Sequence, residues 1–381
     1  KMCIRDRDNL AFIHQRIDQN TYVVKNATGE NSAVTTANST SWDIFRAYEA
    51  LSDAESGSNE NSGIFASLQN FDSWTGGQDL VSAGLEWNFA LYADGADNSG
   101  LTVDGWVTSS LNKIKIFSPQ ETHHVGVSQR HLGVWDNSKS RIQCDCYAAA
   151  LSFNTSFVEV EGLLIDNNDT YTGAGHPAGG IRISSADRMD KLILNNNIID
   201  KSNGHWINHG GAGAGIYLYI GSGITNVYVI NNIVTNYDQG IRVYVNGAST
   251  IGNAYIYNNT VANNDNFGLG LSGFGLEDNI FVKNNILANN SIDLSSGVGI
   301  SNLVTLSNTT SDTTSLDGAP FQSQTPDFFD IVNNDFQLLS ADIIARSRAV
   351  DLSSDEFYSF DIDTKNQSRS SWDLGAHEYT E

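Results

Sequence analysis

The sequence predicts an all-β fold, a single parallel solenoid, and three observations predict it. First, one short phrase keeps returning: LILNNNII at 192–199, VYVINNIV at 227–234, AYIYNNTV at 254–261 and IFVKNNIL at 280–287. Second, a Gly-led strand phrase sits between these: GIRI at 180–183, GIYLYI at 215–220, GIRVYV at 240–245 and GLGL at 268–271. Third, only Asn/Gly turns separate the strands, and a period in the twenties to thirties built this way means stacked coils. The second Asn of each pair (Asn197, Asn232, Asn259, Asn285) is expected to stack on its counterpart in the next coil, with the amides exchanging hydrogen bonds along a ladder. A parallel β-helix fits all three.

Bulk properties narrow the class. The chain has 381 residues with 44 acidic against 21 basic side chains, a net charge of −23. Such a surface repels nucleic acid and anionic membrane, and the composition suits a secreted or surface protein that could bind calcium, or simply one kept soluble in a salty habitat. A solenoid grows by adding coils, so one continuous body is expected at this length. No apolar run approaches the roughly 18 residues a membrane span needs. Of the three cysteines, Cys3, Cys144 and Cys146, the last two are two apart. On one strand they share a face and are poorly placed to bond each other, so no disulfide framework is expected.

Taken in order, residues 1–40 read as a lead-in. Its opening KMCIRDR resembles a translated adapter artefact, which excludes it from fold reasoning, and 20–40 read as irregular. Residues 41–84 read as an N-terminal cap region. Its helix is expected around Trp42–Leu51, where Thr40 and Asp43 form a capping-box pattern and Ile44, Tyr48 and Leu51 share a face. One amphipathic helix before a β-solenoid would plug an open end that otherwise invites aggregation. Residues 52–63 read as a solvated loop. Residues 85–300 form the solenoid, with irregular first coils, and 301–381 a long loop (301–320) followed by an irregular C-terminal cap.

The phrases WDIFRAYEAL, VDGWVTS and FVEVEGLLI, the Asn-paired coils, then DFQLLSADII and DID…R…DLGAHEY together resemble one group of proteins. These are the right-handed parallel β-helix, pectate-lyase-like solenoids of secreted bacterial type. The resemblance covers most of the chain beyond residue 40. It implies a right-handed solenoid and an extracellular or cell-surface location, and is weak for activity. The group includes polysaccharide lyases, glycoside hydrolases, phage tailspikes and noncatalytic surface proteins.

Spacing divides each coil into a constant and a variable half. From Ile181 to Asn197, Ile216 to Asn232 and Leu269 to Asn285 the step is 16 residues, and from Ile241 to Asn259 it is 18. The return step varies: 19 from Asn197 to Ile216, against 9 from Asn232 to Ile241, 10 from Asn259 to Leu269 and 7 from Asn285 to Ile292. With Gly162 taken as the equivalent of Asn197, the preceding return to Ile181 is also 19. Two successive coils therefore carry long insertions at one corner, 167–179 (NNDTYTGAGHPAG) and 201–214 (KSNGHWINHGGAGA). Insertions gathered on one face of a solenoid commonly form its binding side.

The strands beside this corner alternate cleanly. Ile216, Leu218 and Ile220 should point inward, and Tyr217, Tyr219, Arg242 and Tyr244 outward. Across coils the outward columns read Arg182–Tyr217–Arg242 and Ser184–Tyr219–Tyr244. Phenol rings suit sugar CH faces and guanidinium groups suit carboxylates, so an acidic polysaccharide is the expected partner. Outward aromatics also stabilise strands by stacking, which is the structural alternative.

The candidate catalytic set is Lys201, His205, His209 and Arg242, with Arg182, Tyr217, Tyr219, Tyr244 and His176 as substrate contacts. One His would act as base beside a uronate carboxylate, partnered by Lys201 or Tyr217, and an Arg would take up developing charge. His205 and His209 are four apart, but Trp206 breaks the zinc-protease pattern, and they lie in a Gly-rich loop. Asp166, Asp169 and Asp200 could form a calcium site, and with Asp238 could supply the carboxylate pair of a hydrolase. GGAGAG at 210–215 precedes a strand and so is not a nucleotide fingerprint, and no GxSxG is present. His123, His124 and Asp145 fall in the irregular coils without an assigned role. The expected function is polysaccharide binding and processing by a monomer, by a lyase acting on acidic glycan. The alternatives are a noncatalytic adhesin-like solenoid and a glycoside hydrolase.

Overall fold

A computed structural model describes residues 2–6, 9–18, 21–26, 30–31, 43–69, 76–121, 129–169, 179–185, 189–202, 213–220, 226–245, 253–273, 279–297, 302–314, 317 and 321–380. The chain opens with four strands, β1 (Met2–Asp6), β2 (Asn9–Arg16), β3 (Tyr22–Lys25) and β4 (Asp43–Arg46), paired antiparallel in the order β3-β2-β1-β4. The expected irregular lead-in is therefore a sheet, and the excluded opening contributes a central strand. The helix expected around Trp42–Leu51 is also displaced. Residues 43–46 pair with β1, and the helix α1 runs Leu51–Ser56, from the last residue of the expected helix into the segment read as loop. Strand pairing wins over the local helical pattern at 43–46 because it satisfies the backbone groups and also lets Phe45 pack on Phe12, Ala47 and Ile64. Gly57, left-handed at φ 65°, ends α1. A second short helix, α2 (Leu80–Ala83), is capped by Asp79, whose carboxylate accepts from the Ser82 amide.

From residue 87 the chain winds. The first coil holds β5 (Trp87–Ala90), β6 (Ala96–Asp97) and β7 (Leu101–Val103); the second β8 (Ile114–Phe117), β9 (Arg141–Cys144) and β10 (Ala149–Phe153). The third holds β11 (Val158–Glu161), β12 (Leu164–Asn167) and β13 (Gly179–Ser185); the fourth β14 (Leu192–Asn195), β15 (Ile198–Asp200) and β16 (Ala214–Ile220). The fifth holds β17 (Asn226–Ile230), β18 (Ile233–Thr235) and β19 (Gln239–Val245); the sixth β20 (Asn253–Tyr257), β21 (Thr260–Ala262) and β22 (Phe267–Ser272). The seventh holds β23 (Asn279–Lys283), β24 (Ile286–Ala288) and β25 (Ile292–Ser296), and the last turn β26 (Asn302–Leu306) and β27 (Thr309–Thr310). Each strand pairs in parallel with the third strand before and after it, giving sheet I (β5 to β26), sheet II (β6 to β27) and sheet III (β7 to β25) with eight, eight and seven strands. This is a parallel β-solenoid. The segment 301–320, expected as a loop, instead supplies β26 and β27 because Asn302 and Asn308 continue the Asn positions of earlier coils.

Period-two alternation fills the interior. Ile114, Val158, Leu192, Val227 and Ile280 from sheet I meet Ile165, Ile199, Val234 and Leu287 from sheet II and Leu151, Ile181, Ile216, Ile241 and Leu269 from sheet III, all essentially inaccessible. The corner between sheets I and II carries the expected ladder. Asn197 Nδ2 donates to Asn232 Oδ1 at 3.0 Å, Asn232 to Asn259 at 3.1 Å, Asn259 to Asn285 at 3.0 Å and Asn285 to Asn308 at 2.8 Å. Asp317 then accepts from the Asn308 amide and side chain at 2.6 and 2.8 Å. The register places Leu163, not Gly162, opposite Asn197, since Glu161 pairs with Asn195 and Leu164 with Ile198. Gly162 matches Asn196 instead, and both take the left-handed turn, at φ 73° and 57°.

The two asparagines of a pair do different work. The second builds the ladder, and the first, left-handed at Asn231, Asn258 and Asn284, grips the C-terminal segment. Asn258 Nδ2 donates to the Asp373 and Gly375 carbonyls, Asn284 Nδ2 to the Val350 carbonyl, and Asn231 Oδ1 accepts from Arg369. The end of the chain, expected as a cap, thus runs along the flank. Phe336, Leu338, Leu374 and Ala376 cover the outer side of sheet II, on Leu164, Ile198, Ile233 and Ile286. Leu352, Tyr358, Phe360 and Trp372 cover the outer side of sheet I, on Tyr228, Ile230, Tyr255 and Tyr257. Among the described residues, none of these tail clusters reaches sheet III. No described helix is long and apolar enough to cross a membrane.

Cys144 and Cys146 form a disulfide, contrary to expectation. The strand β9 ends at Cys144, so the chain turns at Asp145 and same-face geometry no longer applies. The two Cα atoms are 5.3 Å apart, within bridging range.

Candidate functional site

Sheet III presents the surface expected from alternation. Ile181, Ile183, Ile216, Leu218, Ile241 and Val243 are buried, while Arg182, Tyr217, Tyr219, Arg242 and Tyr244 are half-buried on the outer side. Register puts Arg182, Tyr217 and Arg242 on adjacent strands in one column, and Tyr219 beside Tyr244 in the next. The guanidinium carbons of Arg182 and Arg242 lie 5.8 and 5.2 Å from the centre of the Tyr217 ring, one from each neighbouring coil. Cations over ring faces are attracted by the π-electrons. Arg242 also lies 5.5 Å from the Tyr244 ring, and its Nη1 donates to Gln239 Oε1 at 3.2 Å, which orients it. Tyr219 stacks on Tyr244 at 5.5 Å and meets Tyr217 edge-on at 6.0 Å. Partial burial raises the Tyr217 phenol above its usual range, and the two guanidinium groups only partly oppose this, so it stays protonated at neutral pH.

The column continues with a residue the sequence reading missed. Gly270 follows Arg242 in register, and a Cβ built there would lie 2.2 Å from Phe267 Cε2. The Phe267 ring therefore lies over Gly270 on the outer side, filling the place where a side chain from 270 would stand. The signal was the Gly in the middle of GLGL, which leaves room for a neighbouring ring. On the other side the column falls to Ser152 and Thr102.

A second group of expected residues gathers at the corner where sheet II passes into sheet III. Asp166 and Asp200 lie beside each other in column, following from the Ile165–Ile199 pairing. Asp166 is fully buried and accepts from Gln143 Nε2 at 3.1 Å and from the amide and hydroxyl of Ser202. Asp200 accepts from Asn236 Nδ2 at 2.7 Å. Burial, reinforced by the Asp166 charge, pushes the Asp200 carboxyl up to about 6. Lys201 is buried too, and its Nζ donates to the Asp169 carbonyl at 3.1 Å. Desolvation lowers its pKa against the pull of Asp166, Asp169 and Asp145.

This corner relocates one expected residue. Lys201 belongs to the buried corner and not to the Arg/Tyr surface. Of the residues expected to bind calcium, Asp166 and Asp200 adjoin in column, and among the described residues no group of three or more His, Cys, Asp or Glu is arranged to hold a metal. Asp166 and Asp200 instead receive amide and hydroxyl donors, which a cation would have to displace. Asp238 sits nearer sheet III, beside Arg242, with Asn266 and Gln239 as donors. His176, His205 and His209 lie outside the described residues, as do His123, His124 and most of both insertions; the side chains of Ser184 and Ile220 do too.

Further regularities at this corner also went unread in the sequence. Asn264 Nδ2 donates to Asn290 Oδ1 at 2.8 Å, and Asn290 Nδ2 to Asp293 at 2.9 Å, forming a second, shorter ladder. The pairs Asn263–Asn264 and Asn289–Asn290 were its signal. No protein-family model matches the chain and no curated protein matches it, so the assignment to the parallel β-solenoids stands on strand topology.

Proposed function

We propose that the outer side of sheet III binds an acidic polysaccharide, and that the protein is an extracellular or cell-surface, pectate-lyase-like β-helix of lyase type. The carrying observation is the Arg182–Tyr217–Arg242 column, on the one sheet of the three that the described C-terminal clusters leave uncovered. Protonated phenols and an aromatic ring offer flat apolar contact to sugar faces, and guanidinium groups offer paired donors to carboxylates. Both long insertions lead directly into this sheet, at the starts of β13 and β16. The Cys144–Cys146 disulfide and the acidic composition support an oxidising, extracellular setting.

In the elimination, a base removes the proton on the carbon next to the uronate carboxylate. The electron pair forms a carbon–carbon double bond, and the glycosidic oxygen on the far side leaves. Arg242 and Arg182 would hold the carboxylate and take up the charge that spreads onto it. His205 and His209 carry the base role, since Lys201 is held at the corner by the Asp169 carbonyl. A noncatalytic glycan-binding solenoid is the second reading, favoured by one observation: the Arg182–Tyr217–Arg242 column and the Tyr219–Tyr244 stack form a ring-and-cation surface that suffices for binding.

Both readings are tested by incubating the protein, with calcium present, with a panel of acidic polysaccharides. Binding and the ultraviolet absorbance of unsaturated products are followed together. Binding with new absorbance that is lost in His205→Ala or His209→Ala supports the lyase. Binding without absorbance supports the second reading, and no binding to any acidic glycan overturns both.

A further inference from the structure

Resting on that reading, we infer that the ligand of sheet III is a glycan that alternates anionic and uncharged sugars, bound along the solenoid axis. The basis is the order of groups on the outer side of four successive strands: Arg182, Tyr217, Arg242, and the Phe267 ring over Gly270. Cation and ring alternate with a period of two coils.

Neighbouring strands are spaced about 4.8 Å apart, so the two cations stand roughly 10 Å apart along the axis. A pyranose in an extended glycan advances by close to one strand spacing. Successive sugars of a chain lying on this column therefore meet a guanidinium, a phenol, a guanidinium and a phenyl ring in turn. An anionic group fits at the first and third positions, where a fork of N–H donors receives it. At the second and fourth positions the surface is an aromatic ring, Tyr217 standing between the two guanidinium groups and Phe267 over Gly270, which packs against sugar CH groups and offers a carboxylate no paired donors.

The boundaries of the column agree. Before Arg182 it carries Ser152 and Thr102, and after Gly270 it carries Ser295, so the alternation is confined to four successive strands that begin at the two carrying the insertions. The adjacent column reinforces the apolar half. Tyr219 stacks on Tyr244 at 5.5 Å, widening the aromatic platform beside Tyr217. Overall charge points the same way. A chain of net charge −23 repels a polymer charged on every sugar more strongly than one charged on every second sugar.

The test is calorimetric titration of the intact protein with oligosaccharides of equal length. Hyaluronan and unsulfated chondroitin fragments represent alternating uronate and uncharged amino sugar, galacturonan a uronate on every sugar, and cello-oligosaccharide none. The inference expects one of the alternating fragments to bind at least about tenfold tighter than galacturonan, with the cello-oligosaccharide weakest. Arg182→Gln and Arg242→Gln should each weaken that binding about tenfold, the scale of one charge-assisted hydrogen bond, and Phe267→Ala should weaken it with an unchanged melting temperature. Galacturonan binding as tightly as both alternating fragments overturns the alternation but leaves the acidic-glycan reading standing. Absence of binding to every anionic fragment overturns that reading as well. Binding undiminished in both Arg variants shows that the ligand lies elsewhere, and overturns the column as its site.

Discussion

Replacing Asn232 with Ala removes one rung from the buried ladder, and the structure sets the scale of the loss. The Asn232 side chain is inaccessible and takes part in four hydrogen bonds. Its Oδ1 accepts from the backbone and side-chain nitrogens of Asn197, both at 3.0 Å. Its Nδ2 donates to the Leu194 carbonyl at 2.9 Å and to Asn259 Oδ1 at 3.1 Å. Two partners keep a second bond after truncation: Asn197 Nδ2 still donates to the Val160 carbonyl, and Asn259 Oδ1 still accepts the amide of residue 232. The Asn197 amide loses the oxygen that served it, and the Leu194 carbonyl loses its side-chain donor while its strand stays paired with β17. At about 1–3 kcal/mol for the buried amide left unmet and about 1 kcal/mol for the other lost bond, the variant should lose about 2–4 kcal/mol. Denaturant unfolding gives the total, and amide exchange at residues 194–197 and 259 shows whether the damage centres on the two neighbouring coils, as nearest-neighbour stacking requires. The control is Asn226→Ala, in the half-buried row where Asn253 Nδ2 donates to Asn226 Oδ1 at 3.1 Å, for which less than about 1 kcal/mol is expected. A loss below about 1 kcal/mol for Asn232→Ala, or equal losses for the two variants, would refute the claim that the amide ladder holds successive coils together.

Two further expectations concern pH. His131 and His377 are buried where the C-terminal segment meets the solenoid, and desolvation, the largest cause for both, pushes each down to about 3. They stay neutral in the folded chain and become charged when unfolded, so their contribution is complete above the ordinary value of 6.5 and is lost as pH falls from there toward 3. Each should cost about 1.4 kcal/mol per pH unit in that window, and the slope of unfolding free energy with pH should decrease in His377→Phe. Asp200 acts in the opposite sense: its folded value is raised to about 6, so burying its charge costs stability at neutral pH and the cost disappears as pH falls through 6 toward 3.8. Asp200→Asn should therefore stabilise the protein at pH 8 relative to wild type and confer no such gain at pH 4, measured by thermal melts; a gain independent of pH would contradict it.

The Asn and Gly-Ile phrases make the sheets of the regular coils legible in the sequence, because a stacking coil must repeat the residues that fill its interior and turn its corners. The outward columns followed from the same periodicity, which is why Arg182, Tyr217, Arg242, Tyr219 and Tyr244 were placed correctly. Reading failed where a residue's environment comes from distant sequence. The strand at Asp43–Arg46 carries a helical pattern that pairing with β1 overrides. Cys144 and Cys146 bond because the strand ends between them, and Phe267 reaches the outer side only because Gly270 has no side chain.

Sequence alone, then, determined the stacked strands of the regular coils between residues 180 and 287 and the direction in which their side chains leave them, since both follow from local period. Tertiary structure decided which outer sides stay open. The segment after Phe328 could have lain on any of the three sheets, and nothing in its local pattern selects two of them. Its place is chosen by groups far apart in the chain: the left-handed Asn231, Asn258 and Asn284, whose side chains meet the Arg369 guanidinium and the Gly375 and Val350 carbonyls. That choice covers the Leu164–Ile286 and Tyr228–Tyr257 surfaces with apolar partners and leaves the Arg/Tyr columns of sheet III uncovered by those clusters.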